Sequence, residues 1–319
     1  MLATSLRLED VPLPILTTPQ PLSFPRIQGP YQQSLSHGFI MRPISKNNRA
    51  PPHTLPPLII AIHGGPTSCF RPSVHLEFQY YSSRGYVVAL LNHAGSIGYG
   101  RVYREQLSGQ WGVADTADAA SCAAHLGASG LVDPTRIGIW GISAGGFCTM
   151  HAVCMYPSIW AGGVSYSGIA DMEGFARGTH SFEKGYTQLL VGPLPTDVDD
   201  KGLQAERQLY RDRSPVSHAE NLMMPLLMIF GKADQIVPSR QADDMREAVE
   251  SSRTLRNRDG VVRLLGFEKE GHVLSDPEIV RKRILEEEMW WARTLLKLGD
   301  TNDWLNSRTR ERKYSPTRE

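Results

Sequence analysis

The sequence lacks the features that mark membrane, secreted and nucleic-acid-binding proteins. No apolar run reaches the roughly 18 residues that a membrane-spanning helix needs. The N-terminal residues do not combine a basic segment with an apolar one, and no Asn-x-Ser/Thr sequon occurs. The net charge is only +1, so no excess of one sign would attract the chain to nucleic acid or to an anionic lipid surface. We therefore expect a cytoplasmic protein with no membrane partner and no nucleic-acid partner.

Cysteine is scarce as well, with four residues in a chain of 319. None of the close cysteine spacings typical of zinc sites occurs, and we expect no metal and no cofactor. Cys148 and Cys154 fall on one predicted helix, which indicates buried, reduced thiols. Reduced thiols agree with a cytoplasmic location, because disulfides persist mainly in oxidising compartments.

The composition divides the chain into three parts. Residues 1–21 are rich in proline and predict an extended N-terminal arm. Residues 22–298 have the mixture of apolar and charged residues that is typical of one globular domain. Residues 299–319 are polar, carry several basic side chains and predict a disordered tail.

Short apolar runs alternate with helical patterns through the central part. The runs are typical of strands covered on both faces, and they lie at 58–62, 86–91, 136–140, 162–167, 225–230 and 261–267. The helical patterns lie at 115–128, 144–156, 239–252 and 276–298. Residues 22–43 contain alternating segments that predict an antiparallel hairpin. Together these elements predict an α/β protein with a mostly parallel sheet and helices on both faces.

Two further features bear on the site and on the core. The stretch from Gly168 to Met224 is long and irregular and includes one helical pattern, and an insertion here would overhang the C-terminal edge of the sheet. Ligands of open α/β sheets bind at that edge.

The last helical pattern carries Trp290 and Trp291 side by side, so we expect that the two rings do not both face one core.

Ser143 lies in the pattern Gly141-x-Ser143-x-Gly145, between a predicted strand and a predicted helix. The pattern alone is weak evidence, because Gly and Ser are common residues. A nucleophile elbow, however, needs a strand, a tight turn flanked by small residues and then a helix. Since this context is present, the sequence predicts that Ser143 is a catalytic nucleophile.

The α/β-hydrolase order of catalytic residues is serine, acid and then histidine. His272 is the last of the ten histidines and follows a predicted strand, while Asp234 follows the strand before it. The rival carboxylates lie inside a helical pattern or before a strand: Asp243, Asp244 and Asp259. We predict that Ser143 attacks the substrate, that His272 takes and returns its proton, and that Asp234 fixes the histidine tautomer.

The segment His-Gly-Gly at 63–65 follows the first apolar strand. Two glycines in this position allow a backbone N–H to point into the site, as in the HGGG-type element of esterases, although an ordinary turn also accounts for them. We predict that the N–H groups of Gly65 and Ala144 bind the oxyanion of the tetrahedral intermediate. His63 is expected to shape the loop.

Taken together, the motifs resemble the catalytic domain of the prolyl oligopeptidase family of serine peptidases, most closely its acylaminoacyl-peptidase and dipeptidyl-aminopeptidase-like branch. The resemblance spans about residues 22–298 and rests on the motifs LIIAIHGGPTS, YYSSRGYVVALLNHAGSIGYGRVYREQLSGQWGVADTAD, LVDPTRIGIWGISAGG, GKADQIVP and EGH. It implies an α/β-hydrolase fold with an eight-stranded sheet and the same triad of Ser143, Asp234 and His272.

The sequence also departs from this family. Members normally carry a β-propeller before the catalytic domain, whereas only about 21 residues precede the matching region here. We therefore expect a catalytic domain without the propeller. The family motif usually written NYRGSxGYG is NHAGSIGYG here, with His93 and Ala94 in place of the aromatic residue and the arginine. Because that loop lies near the active site in the family, the two replacements allow a substrate that differs from those of the family. The simplest role for His93 itself is packing on its neighbours.

The segment SGIADMEGF is expected to line the acyl side of the substrate pocket through Ile169, Met172 and Phe175, although core packing is an equally good account of each.

Three functions remain open. The first is a serine hydrolase acting on amide bonds of short peptides or acylated amino acids. The second is an esterase-like hydrolase of small non-peptide esters, lactones or thioesters in a biosynthetic pathway. The third is a non-catalytic binding module. The sequence does not define the oligomeric state.

Overall fold

The computed structural model describes residues 16–44, 53–178, 181–195, 204–252 and 261–298. Most of the predicted N-terminal arm and the whole predicted tail lie outside the described residues. The expected arm and tail therefore stay predictions.

Eight strands and nine α-helices occur within the described ranges. The strands are β1 (Gln20–Pro25), β2 (Leu35–Met41), β3 (Leu58–Ile62), β4 (Val87–Asn92), β5 (Ile137–Ile142), β6 (Gly162–Tyr166), β7 (Leu226–Gly231) and β8 (Val262–Phe267). The helices are α1 (Leu76–Ser82), α2 (Arg101–Glu105), α3 (Ala114–Ala128), α4 (Ala144–Met155), α5 (Met172–Gly178), α6 (Ser181–Leu190), α7 (Gln204–Asp212), α8 (Arg240–Ser251) and α9 (Pro277–Thr294). A 3-10 helix spans Pro215–Asn221.

The strands form one sheet in the order β1-β2-β4-β3-β5-β6-β7-β8. The pairs β1–β2 and β2–β4 are antiparallel, and the other five pairs are parallel. The predicted hairpin is therefore confirmed and forms one edge of the sheet. The predicted mostly parallel, eight-stranded α/β-hydrolase sheet is also confirmed.

The core lies on both faces of this sheet. Alternate side chains of β3 enter different layers: Ile60 packs in the layer formed with α3, α4 and α8, whereas Ile59 packs in the layer formed with α1 and α9. Every residue of β3 is buried, because helices cover both faces. This double coverage explains why the strand reads as a continuous apolar run rather than an alternating one.

The expectation for Trp290 and Trp291 is wrong, since both rings are buried in the same apolar layer. Trp290 Nε1 donates a hydrogen bond to the carbonyl oxygen of Gly163 at 3.1 Å. Trp291 packs so closely on β5 that a Cβ at Gly138 would lie 2.5 Å from its ring. An indole is large enough for two neighbouring helix positions to reach one layer when the facing strand provides glycines.

The segment between β6 and β7 is ordered into helices where it is described. The helical pattern expected inside it is confirmed by α6, and α5, α7 and the 3-10 helix complete the segment. Helices α5, α6 and α7 form a third apolar cluster with Ala144 and Phe147, at the N-terminal end of α4. The insertion thus packs above the C-terminal edge of the sheet, where Ser143 lies.

Candidate active site

Ser143 occupies the turn between β5 and α4 with φ 57° and ψ −119°. Residues other than glycine seldom adopt positive φ, so this backbone is strained and persists only because the surroundings fix it. A Cβ at Gly141 would lie 2.1 Å from the Gly145 carbonyl oxygen, and one at Gly145 would lie 2.3 Å from the Ile62 carbonyl oxygen. The turn therefore requires both glycines, and the strand–turn–helix context expected for a nucleophile is present.

His272 and Asp234 form a close pair in the loops that follow β8 and β7. His272 Nδ1 lies 2.7 Å from Asp234 Oδ2, and the other oxygen, Asp234 Oδ1, accepts the N–H groups of Ile236 at 2.8 Å and Val237 at 2.9 Å. Since an ionised carboxylate only accepts hydrogen bonds, His272 Nδ1 is the donor and Nε2 carries the free lone pair. The pair is thus arranged to leave Nε2 available as a base.

The hydrogen bonds around Asp234 stabilise its charged form. Burial by itself disfavours the carboxylate, but the bonds from His272 and from the two backbone N–H groups outweigh it, and the pKa of Asp234 is lowered. The side chain of Asp234 is fully buried, whereas that of His272 is 17 % exposed. A buried, charged acid behind a partly exposed imidazole is the arrangement that orients a catalytic histidine.

The end of β6 connects the serine to the histidine loop. Ser143 N donates to the Tyr166 carbonyl oxygen at 2.8 Å, and the next side chain, Ser167 Oγ, donates to the His272 carbonyl oxygen at 3.2 Å. Among the described residues, no hydrogen bond joins Ser143 Oγ to His272. Catalytic hydrogen bonds are often long without substrate, so the pairing of Ser143 with His272 stays a prediction.

The two predicted oxyanion donors belong to the loop beside the nucleophile and to the helix that follows it. His63 Nδ1 donates to the Gly64 carbonyl oxygen at 2.8 Å, and because a trans peptide directs its C=O and N–H to opposite sides, the Gly65 N–H points away from the His63 ring. A Cβ at Gly64 would lie 3.4 Å from Ser143 Cβ, so this loop is beside the serine. Ala144 begins α4, where backbone N–H groups have no partner within the helix.

A buried group of neutral side chains supports the glycine loop. His63 Nε2 accepts a hydrogen bond from Ser96 Oγ at 2.8 Å, and the His63 ring stacks on His93 at 4.6 Å between centroids. Burial and the neighbouring His93 lower the pKa of His63 to about 3, and burial lowers the pKa of His93 to about 4. The sequence suggested that His63 shapes the loop, but gave no signal for Ser96 beyond its place in the NHAGSIGYG motif.

The three residues expected to line the acyl side are all buried. Ile169, Met172 and Phe175 are 2 %, 0 % and 6 % exposed, and they pack in the third apolar cluster together with Ala144. Their positions agree with the core-packing account that the sequence left open. Their contact with a substrate stays a prediction.

The described residues contain neither a metal centre nor a membrane-spanning helix. No group of three or more His, Cys, Asp or Glu side chains in the described ranges could hold a metal ion. Of the helices in those ranges, none combines the length and apolar character that a membrane span requires.

The sequence profile of the prolyl oligopeptidase family matches residues 72–298. Among curated relatives, the acylamino-acid-releasing enzyme of Arabidopsis thaliana is 28% identical over 240 residues, which cover 74% of this chain and 30% of the relative. The acylamino-acid-releasing enzyme of Homo sapiens is 27% identical over 246 residues, which cover 75% of this chain and 32% of the relative. The chain therefore spans about 30% of the length of these relatives.

Solved structures give the same relationship. A puromycin-hydrolyzing peptidase of Mycobacterium tuberculosis superposes with a TM-score of 0.79 at 34% identity, covering 89% of this chain and 40% of that chain. The acylaminoacyl peptidase of Pyrococcus horikoshii superposes with a TM-score of 0.73 at 23% identity, covering 89% of this chain and 43% of that chain, which bears on the fold alone. From its sequence match and its fold, the chain belongs to the prolyl oligopeptidase family.

Proposed function

We propose that this chain is a serine peptidase that hydrolyses amide bonds through an acyl-enzyme on Ser143. The observation that carries the proposal is the strained backbone of Ser143, at φ 57°, in the turn between β5 and α4. A strained serine persists where the surrounding structure fixes it for a purpose, and nucleophiles are a common case. The nearby His272–Asp234 pair and the Gly64–Gly65 loop supply the other groups that acyl transfer needs.

The proposed reaction has two halves, formation of an acyl-enzyme and its hydrolysis, and His272 transfers protons in both. His272 Nε2 takes the proton of Ser143 Oγ as the oxygen attacks the carbonyl carbon, and the N–H groups of Gly65 and Ala144 stabilise the oxyanion. His272 then gives the proton to the departing amine as the C–N bond breaks, which leaves an ester on Ser143. A water molecule then attacks that ester and loses a proton to His272. His272 returns this proton to Ser143 Oγ as the ester bond breaks, which releases the acid and restores the serine.

The relatives support an amide substrate. The curated relatives are named acylamino-acid-releasing enzymes, and one structural neighbour is named a puromycin-hydrolyzing peptidase. We infer that this chain cleaves short peptides or acylated amino acids. The His93 and Ala94 substitutions lie in the loop that contacts His63, so they alter the surroundings of the proposed oxyanion site rather than the triad.

The substrate class is tested with two acyl groups, each measured as an anilide and as an ester. We would measure N-acetyl-alanyl anilide, alanyl anilide and the corresponding p-nitrophenyl esters, with Ser143→Ala as the background. The proposal predicts turnover of an anilide above that background. Turnover of esters without any anilide cleavage would contradict it and favour the ester, lactone or thioester hydrolase. No turnover of either class would favour a binding module.

The proposed base also predicts how the rate depends on pH. We expect kcat/KM to rise with pH between about 5 and 9, because His272 accepts the serine proton only while it is neutral. Burial keeps the pKa of His63 at about 3 and that of His93 at about 4, so both stay neutral over this range. The lowered pKa of Asp234 keeps its carboxylate charged as well.

The measurement is kcat/KM of the best substrate from pH 4.5 to 9, with protein stability recorded at each pH. A flat profile would exclude His272 as the base. If the loss of kcat/KM at low pH depended on the uptake of two protons, the result would contradict the neutral state assigned to the His63–His93 pair.

A further inference from the structure

A cavity of about 400 Å³ lies beside the glycine loop, outside the residues assigned to the reaction. Ligand pockets in proteins have volumes of roughly 300–1,000 Å³, so it is large enough for part of a substrate. Strand β2, the loop after β3 and the loop after β4 form its walls. Its lining includes Phe39, Cys69, Phe70, Arg71, Ile97 and Tyr99.

The cavity wall begins at Cys69, four residues after Gly65 of the proposed oxyanion loop. The backbone folds back so tightly there that a Cβ at Gly65 would lie 2.9 Å from the nitrogen of Ser68. Cys69 follows directly, and the carbonyl oxygen of Ser68 accepts the N–H of Ile97 at 2.9 Å. Because the lining residue Phe70 also packs edge-on against His63 at 5.6 Å between ring centroids, the cavity wall adjoins the proposed oxyanion loop.

The order of the strands separates this cavity from the expected acyl side. Ile169, Met172 and Phe175 follow β6, which lies on one side of β5 and its Ser143. The cavity lies on the other side, beyond β3, at β4 and β2. If the acyl part of a substrate extends towards β6, the part that leaves with the amine extends towards the cavity.

The walls are apolar and aromatic, with one charged side chain. The only lining residues with a polar side chain besides Cys69 and Tyr99 are Asn92 and Arg71. Asn92 is occupied, because it accepts from Phe70 N at 2.7 Å and donates to the Phe70 carbonyl oxygen and to Tyr99. Arg71 is exposed, and none of the ion pairs between described residues includes it.

We propose that this cavity binds the leaving part of the substrate, an apolar residue that ends in a free carboxylate. The aromatic side chains of Phe39 and Phe70 would hold the apolar side chain, and the guanidinium of Arg71 would pair with the carboxylate, as arginine does in bidentate ion pairs. The inference rests on the proposed function, since it assigns the substrate end that departs from Ser143. It selects short peptides with a free C-terminus.

The test compares N-acetyl-alanyl-phenylalanine with its C-terminal amide in the full chain. The wild type is expected to prefer the acid about fivefold in kcat/KM, mainly through KM, which is the effect of one exposed ion pair. Arg71→Gln is expected to remove that preference by lowering kcat/KM for the acid about fivefold. Arg104→Gln, an exposed arginine of α2 outside the cavity, is the matched control and is expected to keep it.

Turnover of p-nitrophenyl acetate by the same proteins separates two kinds of failure. If all variants cleave the ester and the wild type treats the acid and the amide alike, the cavity assignment is overturned while the hydrolase proposal stands. If the wild type cleaves none of the compounds, the proposed function itself fails. A preference that survives Arg71→Gln would assign the carboxylate to another cation and overturn the role of Arg71.

Cys69 allows a second test that does not depend on Arg71. It is partly exposed in the cavity wall, whereas Cys122, Cys148 and Cys154 are buried and burial raises the pKa of their thiols. Labelling Cys69 with a bulky maleimide is expected to block peptide hydrolysis and to leave fluorophosphonate labelling at Ser143 within about twofold. Cys69→Ser is the control and should resist the maleimide. Unchanged peptide hydrolysis after complete labelling, or an equal loss of both reactions, would overturn the assignment.

Discussion

Ser143→Ala is expected to lower kcat/KM for the best amide substrate by about 10⁵- to 10⁶-fold, the loss seen when a triad nucleophile is removed. Alanine keeps the Cβ and the backbone of the elbow but has no oxygen to attack the carbonyl carbon. The remaining hydrolysis would come from direct attack by water while the Gly65 and Ala144 N–H groups stabilise the oxyanion. Fold stability should change little, because the described hydrogen bonds of Ser143 involve its backbone N–H and carbonyl oxygen.

The matched control for this variant is Ser68→Ala, which removes the hydroxyl of an exposed serine on the neighbouring glycine loop. Ser68→Ala is expected to keep kcat/KM within a few-fold of the wild-type value. Rates should be measured on both variants with thermal unfolding beside them, so that loss of fold is recognised. A Ser143→Ala protein that is folded and retains more than a hundredth of the rate would contradict the assignment of the nucleophile.

Asp234→Asn is expected to lower kcat by about 10⁴-fold, the second largest effect in this account. The carboxylate accepts the Nδ1–H of His272 at 2.7 Å, and an amide can present an NH₂ group there instead. His272 would then carry its proton on Nε2, which is the wrong tautomer for taking the proton of Ser143. The remaining amide oxygen can still accept the N–H groups of Ile236 and Val237, so the loop should stay folded.

Asp244→Asn is the control, because Asp244 was a rival acid in the sequence and pairs instead with Arg240 on the surface of α8. Its activity should match the wild type. If Asp234→Asn lost less than tenfold in kcat while folded, the acid of the triad would have to be another residue. The third rival, Asp259, lies outside the described residues.

The elements around the nucleophile could be predicted from the sequence because their constraints are local. Strand β3 has the predicted bounds, and β5 and α4 end within two residues of theirs. The glycines of the elbow are required by contacts of 2.1 and 2.3 Å at the positions where side chains would begin. A steric requirement of this kind leaves a direct trace in the residue types at Gly141 and Gly145.

Contacts between distant loops could not be predicted in the same way. The bond between His63 and Ser96 joins residues 33 apart, and it depends on β4 lying beside β3 in the sheet. The cavity at Phe39 and Arg71 depends on the antiparallel pairing of β2 with β4. Hydrophobic periodicity predicts that strands exist and that they are covered, but it carries no information on their order across the sheet.

The most direct test of the central claim is reaction with a fluorophosphonate probe, followed by intact mass measurement of the wild type and Ser143→Ala. An assembled nucleophile, base and oxyanion site predicts one adduct per chain on the wild type and none on the variant. A folded wild type that gains no adduct, or a Ser143→Ala protein that still gains one, would contradict the claim that Ser143 is the nucleophile of this chain.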